Sequence, residues 1–411
     1  MANTLKFGDG VWATKKGSTL AYNDENGNFK PLPFTTTRST SATRVNKEGL
    51  IEVVSNDVPR IDYTDSEDGA LLLEPSSTNL VTHSEDFSNA SWTKLGNASG
   101  SIPILTTNYA LSPDGTQNAT RLQCDLNGGV TTSDQSIIYD IDSSNTSQTI
   151  SIYLKSNNGK NQEVYLANTF GANDTVLITS KWKRYVFTHT SSNHTFSLGT
   201  RGSTGSSDVL DILIWGAQSE SGNLSSYIPT QGAVSTRSAE TASGSGNSEV
   251  FNDSEGVLFF EGSALADIVS SERITISNGT SSNNRLVIEY DETFGLVKFW
   301  VTGGGTTNGE VQISGVKKTE SNKISVLYKA DVLKIYINGF NVGNGTGIVV
   351  PTGLDNLKFE QAIGGNNFYG KTKQLAYYDT VLTDLELETL TSYKSWESMV
   401  KELNLNIIHN E

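Results

Sequence analysis

Short apolar segments alternate with polar positions along most of the chain, and clusters of Gly, Ser and Asn separate them. Residues 151–155 (SIYLK) and 163–166 (EVYL) show the two-residue period of a half-buried strand, and residues 156–159 (SNNG) supply a turn. The same spacing of strands and turns recurs from about residue 84 to 240 and from about 249 to 390. The pattern predicts an all-β fold with two β-sandwich or jelly-roll domains.

A helix signal follows the second series of strands. Thr383 and Glu386 have the spacing of a capping box, in which each residue satisfies a backbone N–H near the other. The box predicts a short helix with Leu387 and Leu390 facing the sheet. The chain is therefore expected to end in a helical tail over residues 391–411.

The N-terminal segment differs from the rest because its extended pieces are short. Pro31, Pro33 and Pro59 break longer elements, and little in the segment predicts a private core. We expect it to be stabilised by packing on a partner or on copies of itself. Residues 236–248 (TRSAETASGSGNS) are polar and rich in Gly and Ser, which predicts a linker. These features divide the chain into an N-terminal module (1–83), a first sandwich (84–240), a second sandwich (241–390) and the helical tail (391–411).

The net charge of −15, from 30 basic and 45 acidic side chains, excludes some partners. Without a run of Lys or Arg to neutralise phosphates, we expect neither nucleic-acid binding nor attachment to an anionic membrane surface. No apolar run approaches the roughly 20 residues of a membrane span, and the N-terminus MANTLKFGDGVW lacks the pattern of a signal peptide. Cys124, the single cysteine, is expected to be buried in a strand as a small hydrophobic residue.

Catalytic and metal-binding patterns are sparse. The carboxylates of Glu289, Asp291 and Asp331 fall on or near strands, but no spacing pairs them as a hydrolase requires. We therefore expect no enzymatic activity and no catalytic residue. Calcium stays open, because loop carboxylates and carbonyls can bind it in sandwiches of the second kind. The candidate ligands are Asp253, Asp267 and Asp379. They form no dense D-x-D-x-D array, so no cofactor and no metal ligand is predicted.

Aromatic side chains remain as candidates for ligand contact, because a flat ring can cover the apolar side of a sugar while neighbouring amides bind its hydroxyls. In residues 210–215 (LDILIW), alternation places Trp215 on one face and Ile212 and Ile214 on the other, and one set must be core. We interpret Trp215 and Tyr227 as residues that fix the domain more than they contact a sugar.

The preferred ligand site is a loop of the second sandwich in which two amides precede two aromatic rings. Trp182 and Tyr227 of the first sandwich are kept as further candidates. The predicted glycan-binding residues are thus Asn366, Asn367, Phe368, Tyr369, Trp182 and Tyr227.

Particular motifs resemble those of known families. Residues 34–63 (FTTTRSTSATRVNKEGLIEVVSNDVPRIDY) and 71–92 (LLLEPSSTNLVTHSEDFSNASW) resemble a module of bacteriophage tail-fibre, tail-spike and head-fibre proteins. The middle of the chain resembles a carbohydrate-binding-module-like jelly roll, and the last part looks like a concanavalin-like or laminin-G-like sandwich. The stretches that carry these two likenesses are residues 111–123, 151–156, 180–187 and 215–230 for the former, and 333–341 and 365–390 for the latter.

The resemblance implies a virion protein of the fibre or spike type. Its N-terminal module would attach it to other virion proteins, and its sandwiches would adhere to glycans on the host cell surface. By analogy with fibres, a homotrimer is expected, assembled in the host cytoplasm and located in the virion. Two alternatives remain open. One is a purely structural capsid decoration or tail adaptor without glycan binding, and the other is a polysaccharide depolymerase.

Overall fold

The structure, a computed structural model, describes residues 4–142, 147–167, 174–189, 194–267, 270–403 and 405. The described residues form antiparallel sheets and two short helices, which confirms the all-β class. No helix among them is long and apolar enough to cross a membrane. The chain forms two compact units. Unit 1 comprises residues 1–41, 54–75 and 239–411, and unit 2 comprises residues 42–53 and 76–238.

The strands are numbered in chain order. Those before residue 80 are β1 (Leu5–Gly8), β2 (Thr14–Lys15), β3 (Ser18–Thr19), β4 (Tyr22–Asn23), β5 (Lys30–Pro31), β6 (Phe34–Thr37), β7 (Ala42–Val45), β8 (Ile51–Val54), β9 (Arg60–Asp62), β10 (Ala70–Leu73) and β11 (Ser77–Asn79). The next are β12 (Thr93–Asn97), β13 (Ile104–Ala110), β14 (Ala119–Asp125), β15 (Gln135–Asp142), β16 (Gln148–Ser156), β17 (Gln162–Ala167), β18 (Thr175–Ile178), β19 (Lys183–His189), β20 (His194–Arg201), β21 (Val209–Ser221), β22 (Ser235–Arg237) and β23 (Thr241–Ser245). The last are β24 (Glu255–Ala264), β25 (Glu272–Ser277), β26 (Arg285–Tyr290), β27 (Val297–Gly303), β28 (Thr306–Ile313), β29 (Asn322–Lys329), β30 (Val332–Ile337), β31 (Phe340–Thr346), β32 (Asn356–Lys358) and β33 (Gly370–Tyr378). Helix α1 spans Asp384–Thr391, helix α2 spans Trp396–Glu402, and a 3₁₀ turn spans Glu25–Gly27.

Unit 2 is a sandwich of two five-stranded sheets, in the orders β12-β15-β20-β17-β18 and β13-β14-β21-β16-β19. Alternate residues of both sheets form its core, including Ile212 and Ile214 of β21 and Leu198 of β20. Cys124 is buried in the same core, as expected, and burial raises the pKa of its thiol to about 12. The thiol therefore stays protonated and packs as a small hydrophobic group.

Trp215 lies on the opposite face of β21 from this core. The centroid of its ring is 4.6 Å from that of Tyr227 and 5.5 Å from that of Tyr153. Ile51 and Val45, which belong to the β7–β8 segment, join the same cluster. Trp215 and Tyr227 thus fix the packing of unit 2, which confirms their interpretation from the sequence.

Unit 1 is a larger sandwich. A ten-stranded sheet has the order β31-β30-β29-β24-β33-β1-β4-β5, with β10 pairing β33 and β9 pairing β10, and it faces a nine-stranded sheet of order β2-β3-β6-β23-β32-β25-β26-β27-β28. The outer face of the ten-stranded sheet is apolar and is covered by α1 through Leu387, with Leu390 packed against the same cluster. The Thr383–Glu386 capping box is present at the start of α1, as predicted.

The N-terminal segment does not form a module of its own. The first half of the long strand β33 pairs with β10 and its second half pairs with β1, while β6 pairs with β23. Hydrophobic residues of these strands enter the unit 1 core, and Phe7, Phe34 and Leu71 are fully buried there. The expected boundary at residue 83 thus differs from the division in the structure, because the short strands complete a sandwich within their own chain.

A buried charge cluster ties three N-terminal residues to a residue of the segment expected to be a linker. Glu240 lies between Arg38, whose Nη1 is 2.6 Å from Oε1 of Glu240, and Arg60, whose Nε is 2.9 Å from the same oxygen. Arg60 also pairs with Glu74 at 2.7 Å, and all four side chains are at least 96% buried. Burial alone would lower the pKa of Arg60, but Glu240 and Glu74 outweigh it and raise this pKa. Residues 236–248 therefore do not form a flexible linker, although the division between the two units falls within them, at residues 238 and 239.

Candidate functional site

Phe368 does not form a ligand platform, so this part of the predicted site is wrong. Its side chain is 0% exposed and lies in the unit 1 core. Its ring centroid is 5.4 Å from the centroids of both Phe260 and Tyr290. A sugar cannot reach this ring without opening the core.

The neighbouring loop residues have different environments. Tyr369 is partly buried against the core, and its hydroxyl accepts a hydrogen bond of 3.1 Å from Nδ2 of Asn367. Asn366 is exposed in a left-handed conformation with φ of 48°, and its Nδ2 donates to the carbonyl of Ser271 at 2.8 Å. The backbone carbonyl of Asn366 accepts from the N–H of Arg273 at 2.8 Å. The loop thus lies beside Arg273 on β25.

The two candidates in unit 2 are also held in packing contacts. Tyr227 is only 3% exposed, and its hydroxyl contacts Oγ of Ser84 at 2.7 Å and donates to Oε1 of Glu85 at 2.8 Å. Trp182 packs against the same cluster, and its Nε1 donates to the carbonyl of Leu111 at 3.1 Å. Tyr227 presents no free aromatic face, so the platform role predicted for it is wrong, whereas Trp182 is only partly buried and its predicted role stays a prediction.

A polar surface lies on the outer side of the nine-stranded sheet, on the face opposite the core. Strand register aligns its side chains in rows across four adjacent strands. One row reads Arg273, Glu289, Lys298 and Gln312, and another reads Ser277, Arg285, Thr302 and Thr307. Between them, Thr275 is opposite Val287, which is opposite Trp300. We define the Trp300 face as Arg273, Arg285, Glu289, Lys298 and Trp300.

Trp300 is the centre of this face. The guanidinium carbon of Arg273 is 5.3 Å from the centroid of the indole ring, and that of Arg285 is 5.7 Å from it. Guanidinium groups stack on an indole face through electrostatic attraction and dispersion. These groups leave the ring 6% exposed. The stacking orients their N–H groups, which suits hydrogen bonds to hydroxyl or anionic oxygens.

Most charges of the face are paired. Arg273 Nε is 2.5 Å from Oε2 of Glu289, and Nη1 of Arg273 donates to Oε1 of Gln361. Lys298 contacts Asp291 and lies 3.9 Å from Glu289. Arg285 differs, because among the described residues its side chain makes a single hydrogen bond, a long one of 3.5 Å from Nε to Oγ1 of Thr302. Within the described part of the chain, no carboxylate lies within 4.0 Å of the Arg285 guanidinium.

The alternation of residues in β27 contains a sequence signal for Trp300. In β27, Val297, Phe299 and Val301 alternate with Lys298 and Trp300. A Trp in phase with a Lys indicates the outer face of the sheet, because the Lys ammonium is costly to bury. The two arginines belong to other strands, and only the register of β25, β26 and β27 brings them to the ring.

A second polar feature of unit 1 is a cleft of about 330 Å³. Its lining residues include Asp62, Asp65, Lys371 and Glu402 but no aromatic side chain. Lys371 pairs with Asp62 at 3.3 Å and also contacts Asp65. The cleft therefore lacks the combination of aromatic surface and available donor that the Trp300 face has.

The carboxylates considered for calcium have different local partners. Asp253 accepts hydrogen bonds from the backbone N–H groups of Gly353 at 2.6 Å and Leu354 at 3.0 Å, so it caps a loop. The backbone carbonyl of Asp379 accepts from Asn252 at 2.7 Å. Asp267 contributes to the electrostatic environment of the buried Lys318. Within the described ranges, no group of three or more His, Cys, Asp or Glu residues is arranged to hold a metal ion.

A buried acid borders the loop beside Arg273. Burial raises the pKa of the Glu272 carboxyl from 4.5 to about 8, against the opposing effects of a hydrogen bond from the Tyr369 N–H and the charge of Lys318. Between these two pH values the folded state holds a proton that the unfolded state releases. The contribution of Glu272 to stability is therefore complete below about pH 4.5 and is lost as the pH rises through about 8.

The variant Glu272→Gln is expected to remove this pH dependence, because the amide mimics the protonated acid and still accepts from Tyr369. The unfolding free energy of the variant minus that of the wild type should increase by on the order of 4 kcal/mol between about pH 5 and about pH 9. Thermal unfolding at both pH values measures the difference, with Glu292→Gln at an exposed position as the control. A constant difference across this range would contradict the assignment.

Comparisons with known proteins found similar solved structures but no similar family model or curated protein. No protein-family model matches the chain, and no curated protein matches it. The carbohydrate-binding module CBM40 of the Ruminococcus gnavus IT-sialidase is 19% identical, with 36% of this chain and 94% of that chain covered and a TM-score of 0.30. Domain 4 of AbnA, a GH43 extracellular arabinanase from Geobacillus stearothermophilus solved with arabinotriose, is 14% identical, with 42% and 83% covered and a TM-score of 0.31.

A third solved structure, a native glycosidic hydrolase, is 11% identical, with 71% of this chain and 100% of that chain covered and a TM-score of 0.27. These structures are carbohydrate-binding or hydrolase-related. At such TM-scores, none of the likenesses assigns a ligand or an activity to the present chain.

Proposed function

We propose that this protein is a glycan-binding structural protein without enzymatic activity, and that the Trp300 face of unit 1 is its sugar site. The observation that carries the proposal is an indole ring on the outer side of a sheet with a guanidinium group stacked at 5.3 Å and another at 5.7 Å. Sugars combine apolar C–H surface with hydroxyl groups, so a site for them needs an aromatic ring and fixed polar groups together.

The polar groups around the ring suit hydroxyl recognition. Arg273 is held by Glu289 and Gln361, which fixes the direction of its remaining N–H groups. Asn366 and Asn367 lie on the loop that hydrogen-bonds to the backbone of Arg273, so the amides of the loop predicted from the sequence border the same face. A pyranose ring bound here would pack beside Trp300 and its stacked guanidinium groups and hydrogen-bond to these polar groups.

In this proposal the protein is not an enzyme, because the carboxylates of the Trp300 face and beside it are paired with cations. Glu289 is paired with Arg273 and Lys298, and Asp291 is paired with Lys298. A glycosidase needs one carboxyl group that donates a proton and another that acts as base or nucleophile. A carboxylate paired with a cation is stabilised in its ionised form and is a poor proton donor, which favours adhesion over cleavage.

The proposed biological setting is a bacteriophage virion, in a tail or head fibre or spike. It is supported by the sequence resemblance of residues 34–63 and 71–92 to fibre and spike modules. In that setting, several copies of a weak site raise the overall affinity by orders of magnitude. A homotrimer that contacts other virion proteins and a host surface glycan fits this use. A capsid decoration or tail adaptor without sugar affinity is the alternative.

The variant Trp300→Ala is expected to reduce glycan binding by the full-length protein at least tenfold, or about 1.4 kcal/mol. It removes the apolar surface and releases both stacked arginines. A glycan array followed by titration of the best glycan measures the effect, and Phe340→Ala serves as the control because Phe340 is 73% exposed on β31. Thermal unfolding confirms that both variants are folded.

Equal binding by folded Trp300→Ala and wild type would refute the assignment of the site. No binding of any host or array glycan by the multimerised wild-type protein would favour the purely structural alternative.

A further inference from the structure

Building on the proposed sugar-binding role, we infer that the glycan carries an oxyanion, a carboxylate or a sulfate ester, and that Arg285 binds it. Arg285 is a half-buried cation on the Trp300 face, and its position is fixed by the stacking on Trp300 and by the row of residues across the sheet. Three features support this assignment. They are the pairing of charges on the Trp300 face, the polar residues beside Arg285 and the net charge of the protein.

The pairing of charges leaves one cation of the face available. Arg273 is matched by Glu289, Lys298 by Asp291, and the nearby Lys358 lies 3.8 Å from Glu360. Arg285 has no carboxylate within 4.0 Å among the described residues. Glu289 acts on it from a greater distance, but Glu289 is already bound by Arg273.

Burial and the charge of Arg273 both lower the pKa of Arg285, which shows that its present surroundings disfavour its charge. An oxyanion placed against the guanidinium would offset both effects. A guanidinium presents parallel N–H groups that match the two oxygens of a carboxylate or a sulfate. The stack on Trp300 holds this planar group in one orientation, so less rotational freedom is lost on binding.

The row of residues around Arg285 is polar across the sheet. Ser277 is opposite Arg285 on β25, and Thr302 is opposite it on β27. Oγ1 of Thr302 lies 3.0 Å from Oγ1 of the exposed Thr307. On β32, Asn356 is opposite Ser277, and its buried Oδ1 has no hydrogen-bond partner in the described residues. Ser277 and Thr302 are themselves buried, so it is the exposed Thr307 of this row that can bind a hydroxyl on the sugar that carries the oxyanion.

The protein as a whole has a net charge of −15. Within a Debye length of the surface, about 8 Å at physiological ionic strength, a dense polyanion would meet this repulsive charge without a basic surface to compensate it. One available arginine matches one acidic group. The inferred ligand is therefore a glycan with an isolated acidic residue, not a uniformly charged polymer.

The test compares the full-length wild type with Arg285→Gln on acidic oligosaccharides and on matched neutral forms. The neutral forms are made by carboxyl reduction in one arm and by desulfation in the other. We expect Arg285→Gln to lose roughly 10- to 100-fold in affinity for the acidic glycan, the range of a charge-assisted hydrogen bond, and to match the wild type on the neutral form. Arg285→Lys should recover only part of the loss, and Lys317→Gln, at an exposed position, removes an equal charge as the control.

The arms separate the sources of the oxyanion, because loss of binding after carboxyl reduction indicates a carboxylate and loss after desulfation indicates a sulfate. Equal wild-type affinity for acidic and neutral forms, with no effect of Arg285→Gln, would overturn the inference and leave sugar binding in place. If sensitivity to Trp300→Ala were also absent, the proposed function would fall with it.

Discussion

Replacing Glu240 with Ala is expected to destabilise unit 1 by about 3–5 kcal/mol, because it leaves two buried arginines without their shared counterion. Arg38 and Arg60 are each at most 1% exposed, and both contact Glu240. Glu240 also accepts a hydrogen bond of 3.1 Å from the backbone N–H of Glu74. An uncompensated charge in a protein interior costs far more than a broken surface ion pair.

Chemical denaturation of the full-length protein measures this loss as a shift of the unit 1 transition to lower denaturant. Glu249→Ala is the matched control, since Glu249 is an exposed acid a few residues further along the chain. Unchanged stability of Glu240→Ala would mean that Arg38 and Arg60 reach water in solution, which contradicts the buried cluster.

The second large effect is expected for Phe368→Ala, which should cost about 3–5 kcal/mol, the range for deleting a buried Phe side chain. The ring fills a space bounded by Phe260, Tyr290 and Phe359, whose centroids lie 5.4, 5.4 and 6.1 Å from its own. The neighbours relax only in part, so a cavity term adds to the lost transfer free energy.

Thermal unfolding measures the change, and Ile363→Ala on the same loop is the control because Ile363 is 61% exposed. Glycan binding by the Phe368 variant, measured well below its unfolding temperature, should stay near that of the wild type. A variant of wild-type stability that has lost glycan binding would restore the role of Phe368 as a ligand platform.

The strand faces could be predicted from the sequence where period-two alternation was clear. In β21, Ile212 and Ile214 face the core, and Trp215 packs on the other side with Tyr227. Alternation predicts that the strand has two different faces. It does not predict which face belongs to the core, because Ile and Trp are both apolar. The choice depends on what covers the second face, and here that is the β7–β8 segment.

The candidate site was harder to predict, because it depends on pairing between strands. The loop around Asn366 was found from its composition, but the direction of Phe368 is set by the backbone hydrogen bond of 2.9 Å from its N–H to the carbonyl of Phe359. Arg273, Arg285 and Trp300 belong to three consecutive strands, and the register of those strands brings their side chains together. Similarly, nothing local to Glu240 in a Gly/Ser-rich stretch indicates that it is a buried counterion.

The placement of β33 has a consequence for the order in which the chain folds during synthesis. Strands β1 and β10 pair with β33, whose residues leave the ribosome about 370 residues later than those of β1 and about 300 residues later than those of β10. Every residue of unit 2 emerges before β33 does. Unit 2 can therefore fold on the ribosome while Phe7 and Leu71 still lack their sheet partner. Unit 1 closes only near the end of translation, so a nascent chain stalled before residue 370 carries one folded sandwich and an exposed N-terminal apolar segment.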